Sequence, residues 1–473
     1  RALVEEQVGD GGEGERLTYA GAADIVARQA AAIQRRIRPG DRVVIATPNS
    51  YRFLLLCLAA SRAGGVPVPV NPKMRPAEVD HVIADSGAAL VIRDEDEIGP
   101  GRPLAVAAPA SVDDVAAILY TSGTTGEPKG ARLTHRALVG QLPLSALWPS
   151  DLRRDEAVVG LPVAHIMGLV TLLSLAAAGV PTFLLPRFRA EAALDAIEWR
   201  RATMFIGVPA MYRMLLEAGA VDRDLRSVRL WASGADVMPS DLAHAFKRMG
   251  ATVTLPLVGL SLGQAAFAGG YGMVELGGGV AGGFSPPMVP ARLGDVLTPL
   301  PPNRLRVETE GGGQVRLGQV GELLVKGPGV LEGYHHDATA TRAARTADGW
   351  FRTGDLVRRL PFGMVLFAGR EKDVIMNGGY SVFAVEVERA LEEHPAVAEA
   401  AVLGLPDART GEVPVSAVRL RAGASTSEAA LVAFGRERLA DYKSPRRVLI
   451  VDQLPRTGTE KVQKSELRAL FQS

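Results

Sequence analysis

Short apolar runs and helical segments alternate along the first hundred residues, and this alternation does most to limit the folds open to the chain. After Thr18 an alanine-rich stretch reads as a helix ending at the Pro39–Gly40 turn, and Val43 to Ala46 follows as a strand. Ser50 caps a second helix that stops at Gly64–Gly65; VPVPV is the next strand, its prolines suited to an edge. Pro76 opens a third helix with Gly87 just past its end, and AALVI is a strand again. Alternation of this kind predicts a largely parallel, helix-covered sheet, and it recurs less cleanly over 155–260. The 473 residues are about three times the usual ~150-residue domain. From 385 onward the pattern is helix, two strands, helix, strand, a small α+β unit set off by the charged segment GREKD at 369–373. The expected class is α/β: a large N-terminal domain over 1–369 and a small C-terminal α+β domain over 370–473.

Charge and composition remove several functions. Lys and Arg number 53 against 52 Asp and Glu, a net charge of +1, so the strongly basic face of a nucleic-acid binder is not expected. The single cysteine, Cys57, allows no internal disulfide and no multi-cysteine zinc site, which fits a reducing, cytoplasmic compartment. Two uncharged stretches, 166–186 and 251–274, are long enough to span a bilayer, but Pro181, Pro256 and scattered glycines interrupt them. Both read as buried strand–helix segments, with no transmembrane segment; peripheral membrane contact stays open. The first residues do not read as a signal peptide, and with no initiating Met a removed leader stays open as well.

The sharpest local feature is YTSGTTGEPKG, Tyr120 to Gly130, directly after the apolar run VAAIL. Thr121, Ser122, Thr124 and Thr125 offer hydroxyls; Gly123, Gly126 and Gly130 let backbone N–H groups turn toward an anion; Lys129 adds a positive charge. It is not a Walker A loop, which would need glycine at Pro128 and a hydroxyl at Gly130.

With further segments in order, the chain resembles the adenylate-forming superfamily of acyl-CoA synthetases, luciferases and peptide-synthetase adenylation domains, over about residues 17–470. LPVAHIMG (161–168), ATMFIGVPAMY (202–212), ASGADVMP (232–239), YGMVE (271–275), GWFRTGDL (349–356), GREKDVIMNGGYSV (369–382) and LPRTGTEKVQK (454–464) carry the resemblance. It implies an ATP-dependent, AMP-forming ligase that activates a carboxylic acid as acyl-AMP and passes it to CoA, with ATP, Mg²⁺ and CoA as cofactors. The 121–130 loop is then expected on the β- and γ-phosphates, and Thr121 and Glu275 on Mg²⁺. Tyr271, Gly272, Met273, Gly234 and Ala235 are expected around adenine, and Asp355 and Arg370 on the ribose. The resemblance makes Lys461 the catalytic cation between carboxylate and α-phosphate, His165 the gate of the acyl site, and Lys372 the hinge of a mobile C-terminal domain. Rotation about Lys372 would bring Gly379 and Tyr380 to a pantetheine channel, with Lys443 either a CoA contact or a solvated charge.

Ile166 stands where amino-acid-activating relatives carry an Asp, so an acid without an α-amine is expected. Apolar residues around the gate and from Val253 to Phe267 favour an aliphatic, fatty acid. Val274 replaces a usual Thr, Glu460 a usual Gly and Ala384 a usual Pro. Val274 and Glu460 keep open a nucleotide-binding pseudoenzyme or scaffold; a second alternative is an acyl-AMP ligase that loads a carrier protein, which would need a docking face instead of a CoA site. An oxidative, luciferase-like activity shares the same motifs.

Overall fold

The computed structural model describes residues 2–6, 15–71, 74–99, 101–121, 128–140, 142–255, 260–291, 295–309, 311–456 and 462–471. They fall into two compact units, residues 1–304 with 326–351, and residues 305–325 with 352–473.

In the first unit the expected alternation becomes a parallel run of strands. Thr182–Leu184, Ala157–Val159, Met204–Gly207, Leu230–Gly234 and Ala266–Met273 pair in that order. Helices Ile166–Ala177, Ala190–Arg200, Pro209–Glu217 and Ser240–Met249 alternate with them in the chain. Strands Gly278–Ser285 and Val296–Pro299 extend the sheet in antiparallel sense, so it is mixed. A small parallel sheet has Arg42–Ile45 between Val66–Pro69 and Leu90–Ile92, which leaves the proline-bearing strand at an edge. Local signals act as expected: the Ser50 hydroxyl accepts from the Phe53 N–H, and Gly87 ends helix Pro76–Ser86 in the left-handed region, φ +58°.

An aromatic cluster sits within the largely aliphatic core of this unit. Tyr212, Trp231, Phe205 and Phe246 are fully buried, with the Phe246 ring centroid 4.9 Å from those of both Tyr212 and Trp231 in edge-on packing. The Tyr212 hydroxyl donates to the Ala232 carbonyl at 2.8 Å, which ties helix to strand inside the core.

Of the two uncharged stretches, 166–186 is a helix and a strand, as expected. The other differs. Residues 251–274 hold a separate two-stranded hairpin, Val253–Leu255 with Leu260–Leu262, and then strand Ala266–Met273. Val253 and Leu262 pair across that hairpin and both are exposed, so the buried reading fails there; a two-stranded ribbon has no inner face to hide them. Among the described residues no helix is long and apolar enough to cross a membrane.

The second unit contains the hairpin Phe351–Arg359 with Val365–Arg370 and a five-stranded sheet. That sheet has a core on each face. Val387 and Leu391 of helix Ala384–Glu392 and Leu431 of helix Glu428–Arg438 pack on one side, while Leu467 and Phe471 pack with Leu403 and Val415 on the other.

Phe246→Ala is expected to cost roughly 3–5 kcal/mol of stability, and Tyr212→Phe about 1 kcal/mol. Urea denaturation followed by tryptophan fluorescence measures both, and equal small losses would mean that the aromatic cluster is not the centre of the core.

Candidate active site

Strands Val115–Thr121 and Lys129–Thr134 pair as an antiparallel hairpin, so the anion-loop sequence lies between two strands whose ends are held together at Thr121 and Lys129. Ser122, Gly123, Thr124, Thr125 and Gly126 lie outside the described residues, as does Lys461. Lys129 pairs with Asp337 at 3.0 Å and its ammonium sits 5.7 Å from the Tyr334 ring centroid. The Tyr334 hydroxyl donates to Glu275 Oε1 at 3.2 Å. Burial and the Glu275 carboxylate push the Tyr334 phenol above its usual range, so it stays a donor. The Asp337 carboxyl is held below the usual range by the Ala340 N–H and by Lys129. Strand Gly333–Tyr334 pairs with Lys129–Thr134, which is how Tyr334 and Asp337 come to this group. Sequence reasoning missed both; the only trace was one Tyr and one Asp flanking two histidines.

The turn Val274–Leu276 packs against both strands of the hairpin and brings Glu275 to the same neighbourhood. Thr121 and Glu275 supply hard oxygen donors that fit Mg²⁺, and no cluster of three His, Cys, Asp or Glu suited to a metal occurs among the described residues. A set this small suits an ion that keeps water and phosphate oxygens as its other ligands.

Strand Ala266–Met273 carries the YGM sequence into that turn. A bulge falls between Tyr271 and Gly272, where a Cβ on Gly272 would stand 1.9 Å from the Gly278 carbonyl oxygen. Only glycine allows that backbone approach. Gly270 pairs with Gly234 on one side and Gly282 on the other, a row of three glycines across three strands. A Cβ on Gly270 would meet nothing nearer than the Ser233 carbonyl oxygen at 3.8 Å, while one on Gly234 would touch the Met167 methyl at 3.3 Å. Ala235, next in line, is held at φ +68°, a region an L side chain rarely adopts.

His165 is the N-cap of helix Ile166–Ala177, its Nδ1 accepting from the Met167 N–H at 3.3 Å. That bond ties the ring to the first turn of its own helix. Ile166 is buried in the core and Val274 is also buried. Cβ space at Gly168 is closed by the Pro162 carbonyl oxygen at 2.1 Å.

In the second unit the register of hairpin Phe351–Arg359 with Val365–Arg370 places Asp355 opposite Arg370, paired at 3.1 Å. Asp355 is 3 % exposed, so its carboxylate is fixed by that cation and by its place in the strand. The Lys372 ammonium is held below the usual lysine range by desolvation and by Arg370. Gly378 and Gly379 form the two-residue turn between Val374–Asn377 and Tyr380–Phe383, at φ +60° and +84°. The Tyr380 ring stacks on Tyr442 at 4.5 Å, and Lys443 pairs with Glu386 at 2.6 Å.

Residues 1–104 and 95–335 match the family described as AMP-binding enzyme, and 386–461 match the AMP-binding enzyme C-terminal domain. A feruloyl-CoA synthase of Amycolatopsis sp is 36 % identical, the alignment covering 97 % of this chain and 94 % of that one. A 2-succinylbenzoate–CoA ligase of Geobacillus kaustophilus (strain HTA426) is 34 % identical over 95 % of this chain and 91 % of its own. Among solved structures, ATP-bound MatB from Rhodopseudomonas palustris superposes with a TM-score of 0.85 at 30 % identity, covering 100 % of this chain and 96 % of that one.

The positive φ at position 235 gives a direct check. Ala235→Val is expected to lose roughly 1–2 kcal/mol, whereas Ala235→Gly stays near the parent, because relief of strain offsets the added freedom of the unfolded chain. Denaturation midpoints of the two variants read this out; equal losses would contradict the left-handed conformation.

Proposed function

The chain belongs to the AMP-binding enzyme family, and from that premise we propose that it is an AMP-forming acid–CoA ligase whose acid carries a ring. The observation that carries the ring is the glycine row Gly234, Gly270 and Gly282 across three strands, open at Gly270 between the Met167 thioether over Gly234 and the Leu300 side chain over Gly282. A flat, apolar group fits over Gly270 between these two apolar side chains, and none of the three positions offers a charge. The names of the feruloyl and succinylbenzoate relatives point the same way. The apolar run that favoured a fatty tail is engaged elsewhere: Val253 and Leu262 are exposed on their hairpin, and Phe267 is buried against Tyr212 with ring centroids 5.7 Å apart.

The reaction proceeds in two balanced steps. A carboxylate oxygen attacks the α-phosphorus of ATP, the bond to the β-phosphate bridge oxygen breaks, and acyl-AMP and pyrophosphate form. The CoA thiolate then attacks the acyl carbon, expelling AMP and leaving the thioester. Both steps join anions, so the protein contributes position and positive charge. Lys129 and the hydroxyls of the 121–130 loop bind the β- and γ-phosphates. Glu275, oriented by the Tyr334 hydroxyl, and Thr121 hold Mg²⁺, which neutralises phosphate charge when bound.

The adenine lies against Tyr271 and the backbone from Gly234 to Ala235. Asp355 accepts from the ribose hydroxyls while Arg370 holds it in place. Lys461 bridges the two reacting anions in the first step. His165 keeps its ring at the acyl entrance because its own helix fixes Nδ1. Residues 370–473 move as a unit about Lys372 between the steps, and the turn Gly378–Gly379 with Tyr380 then lines the thiol path. Lys443, paired with Glu386, contributes to CoA binding only by exchanging that partner.

Pyrophosphate release across benzoic, cinnamic and straight-chain acids, each with and without CoA, tests the reading. Ring-bearing acids with CoA-dependent turnover are expected to lead; a lead by long straight-chain acids would overturn the ring. Gly270→Leu is expected to raise KM for ring-bearing acids by roughly tenfold or more, by overfilling the strip, while propionate changes little. Lys461→Ala is expected to abolish acyl-AMP formation yet spare thioester formation from supplied acyl-AMP, and equal loss of both would remove it from the first step.

A further inference from the structure

The turn between strands Phe351–Arg359 and Val365–Arg370 is built against two ordinary preferences. The Met364 N–H donates to the Pro361 carbonyl at 3.2 Å around Phe362 at φ +58°, ψ +26° and Gly363 at φ +75°. These are the angles of a mirror-image type I turn, whose first central position favours Asn, Asp or Gly. Here it holds a phenylalanine that is 94 % exposed. A strained backbone and an unburied ring are both unfavourable for the chain alone, the pattern that marks a functional position.

The neighbouring segment completes a surface. The Gly318 N–H donates to the Arg359 carbonyl at 2.8 Å and the Arg359 N–H to the Gln319 carbonyl at 2.9 Å, so residues 315–319 lie beside the base of the turn. Leu317 is 60 % exposed there. Arg358 and Arg359 donate only to backbone carbonyls in the bonds identified, those of Gly318 and Val315, and Arg316 is exposed. Segments 311–321 and 357–367 contain these three arginines and no acidic residue. Two exposed apolar side chains beside three arginines, with the bordering Glu308 and Glu322 paired to Arg306 and Arg352, match the interface of an anionic membrane. They match a protein partner poorly, since two apolar side chains are far fewer than the roughly 20–30 residues that a standard interface contributes on each side.

We propose that the Phe362 turn, with Leu317, Arg316, Arg358 and Arg359, docks the protein reversibly on a bilayer bearing anionic phospholipid. The ring enters the headgroup boundary and the arginines meet phosphates, each cation adding roughly fivefold to partitioning. Neither the chemistry nor the acid proposed above is needed for this.

Sedimentation of the full chain with vesicles of phosphatidylcholine, alone or mixed with phosphatidylglycerol, is the test. Binding is expected only to the mixed vesicles and is expected to fall with added salt. Phe362→Asn, which suits the turn, should weaken binding roughly tenfold and leave both the melting temperature and CoA-ligase turnover at or above the parent's. The double variant Arg316→Glu with Arg358→Glu should abolish sedimentation. Parent protein that stays in the supernatant with both vesicle types would overturn the proposal, as would Phe362→Asn protein that binds as the parent does. A parent dimer in light scattering that Phe362→Asn dissolves would also overturn it, assigning the turn to self-association.

Discussion

The first unit depends on one close backbone approach, at Gly272. There the strand bulges so close to its neighbour that a Cβ would stand 1.9 Å from the Gly278 oxygen, and it then turns at once into Val274–Leu276. Without that approach Tyr271 and Glu275 would not leave the same strand end in their observed directions. Gly277 and Gly278, both at positive φ, close the turn so that strand Gly278–Ser285 can run back beside its neighbour. Bulk is forbidden on this hairpin for two different reasons. At Gly272 it would collide with backbone; at Gly270 there is space, and its emptiness is available to a ligand.

Around that turn the polar groups form a chain. Lys129 is paired with Asp337, the Tyr334 ring lies beside Lys129, and the Tyr334 hydroxyl reaches Glu275. These links join segments far apart in sequence, which explains why only part of the constellation was legible beforehand. Lys129 and Glu275 stood inside recognisable motifs. Tyr334 and Asp337 stood in none, and they reach the site only because Gly333–Tyr334 adds a third strand to the hairpin.

Other residues divide in the same way. Caps such as Ser50 and Gly87 were readable because the atoms that satisfy them lie within a few residues. The Asp355–Arg370 pair was anticipated as two contacts to one ribose, but its direct ion pair follows from hairpin register. Lys443 could not be assigned from sequence, since its partner Glu386 is 57 residues away. The apolar character of 251–274 was plain, whereas its division into a separate ribbon and a strand of the large sheet needed tertiary context: alternation alone does not say which strand joins the sheet.

Three of the cations in the expected binding regions are already matched to a carboxylate of the protein: Lys129 to Asp337, Arg370 to Asp355 and Lys443 to Glu386. Such pairing holds a long side chain in place before the ligand arrives, which lowers the entropy lost on binding. It also sets a sign for pH. The Asp337 carboxyl is depressed below its unfolded value, so its contribution is fully present above the unfolded pKa near ~3.8 and is lost as pH falls through the lower folded one. Above that range the carboxylate is charged, and a phosphate bound as proposed would share Lys129 with Asp337. Affinity from this cation is reduced by that competition, and orientation is what the site gains in exchange.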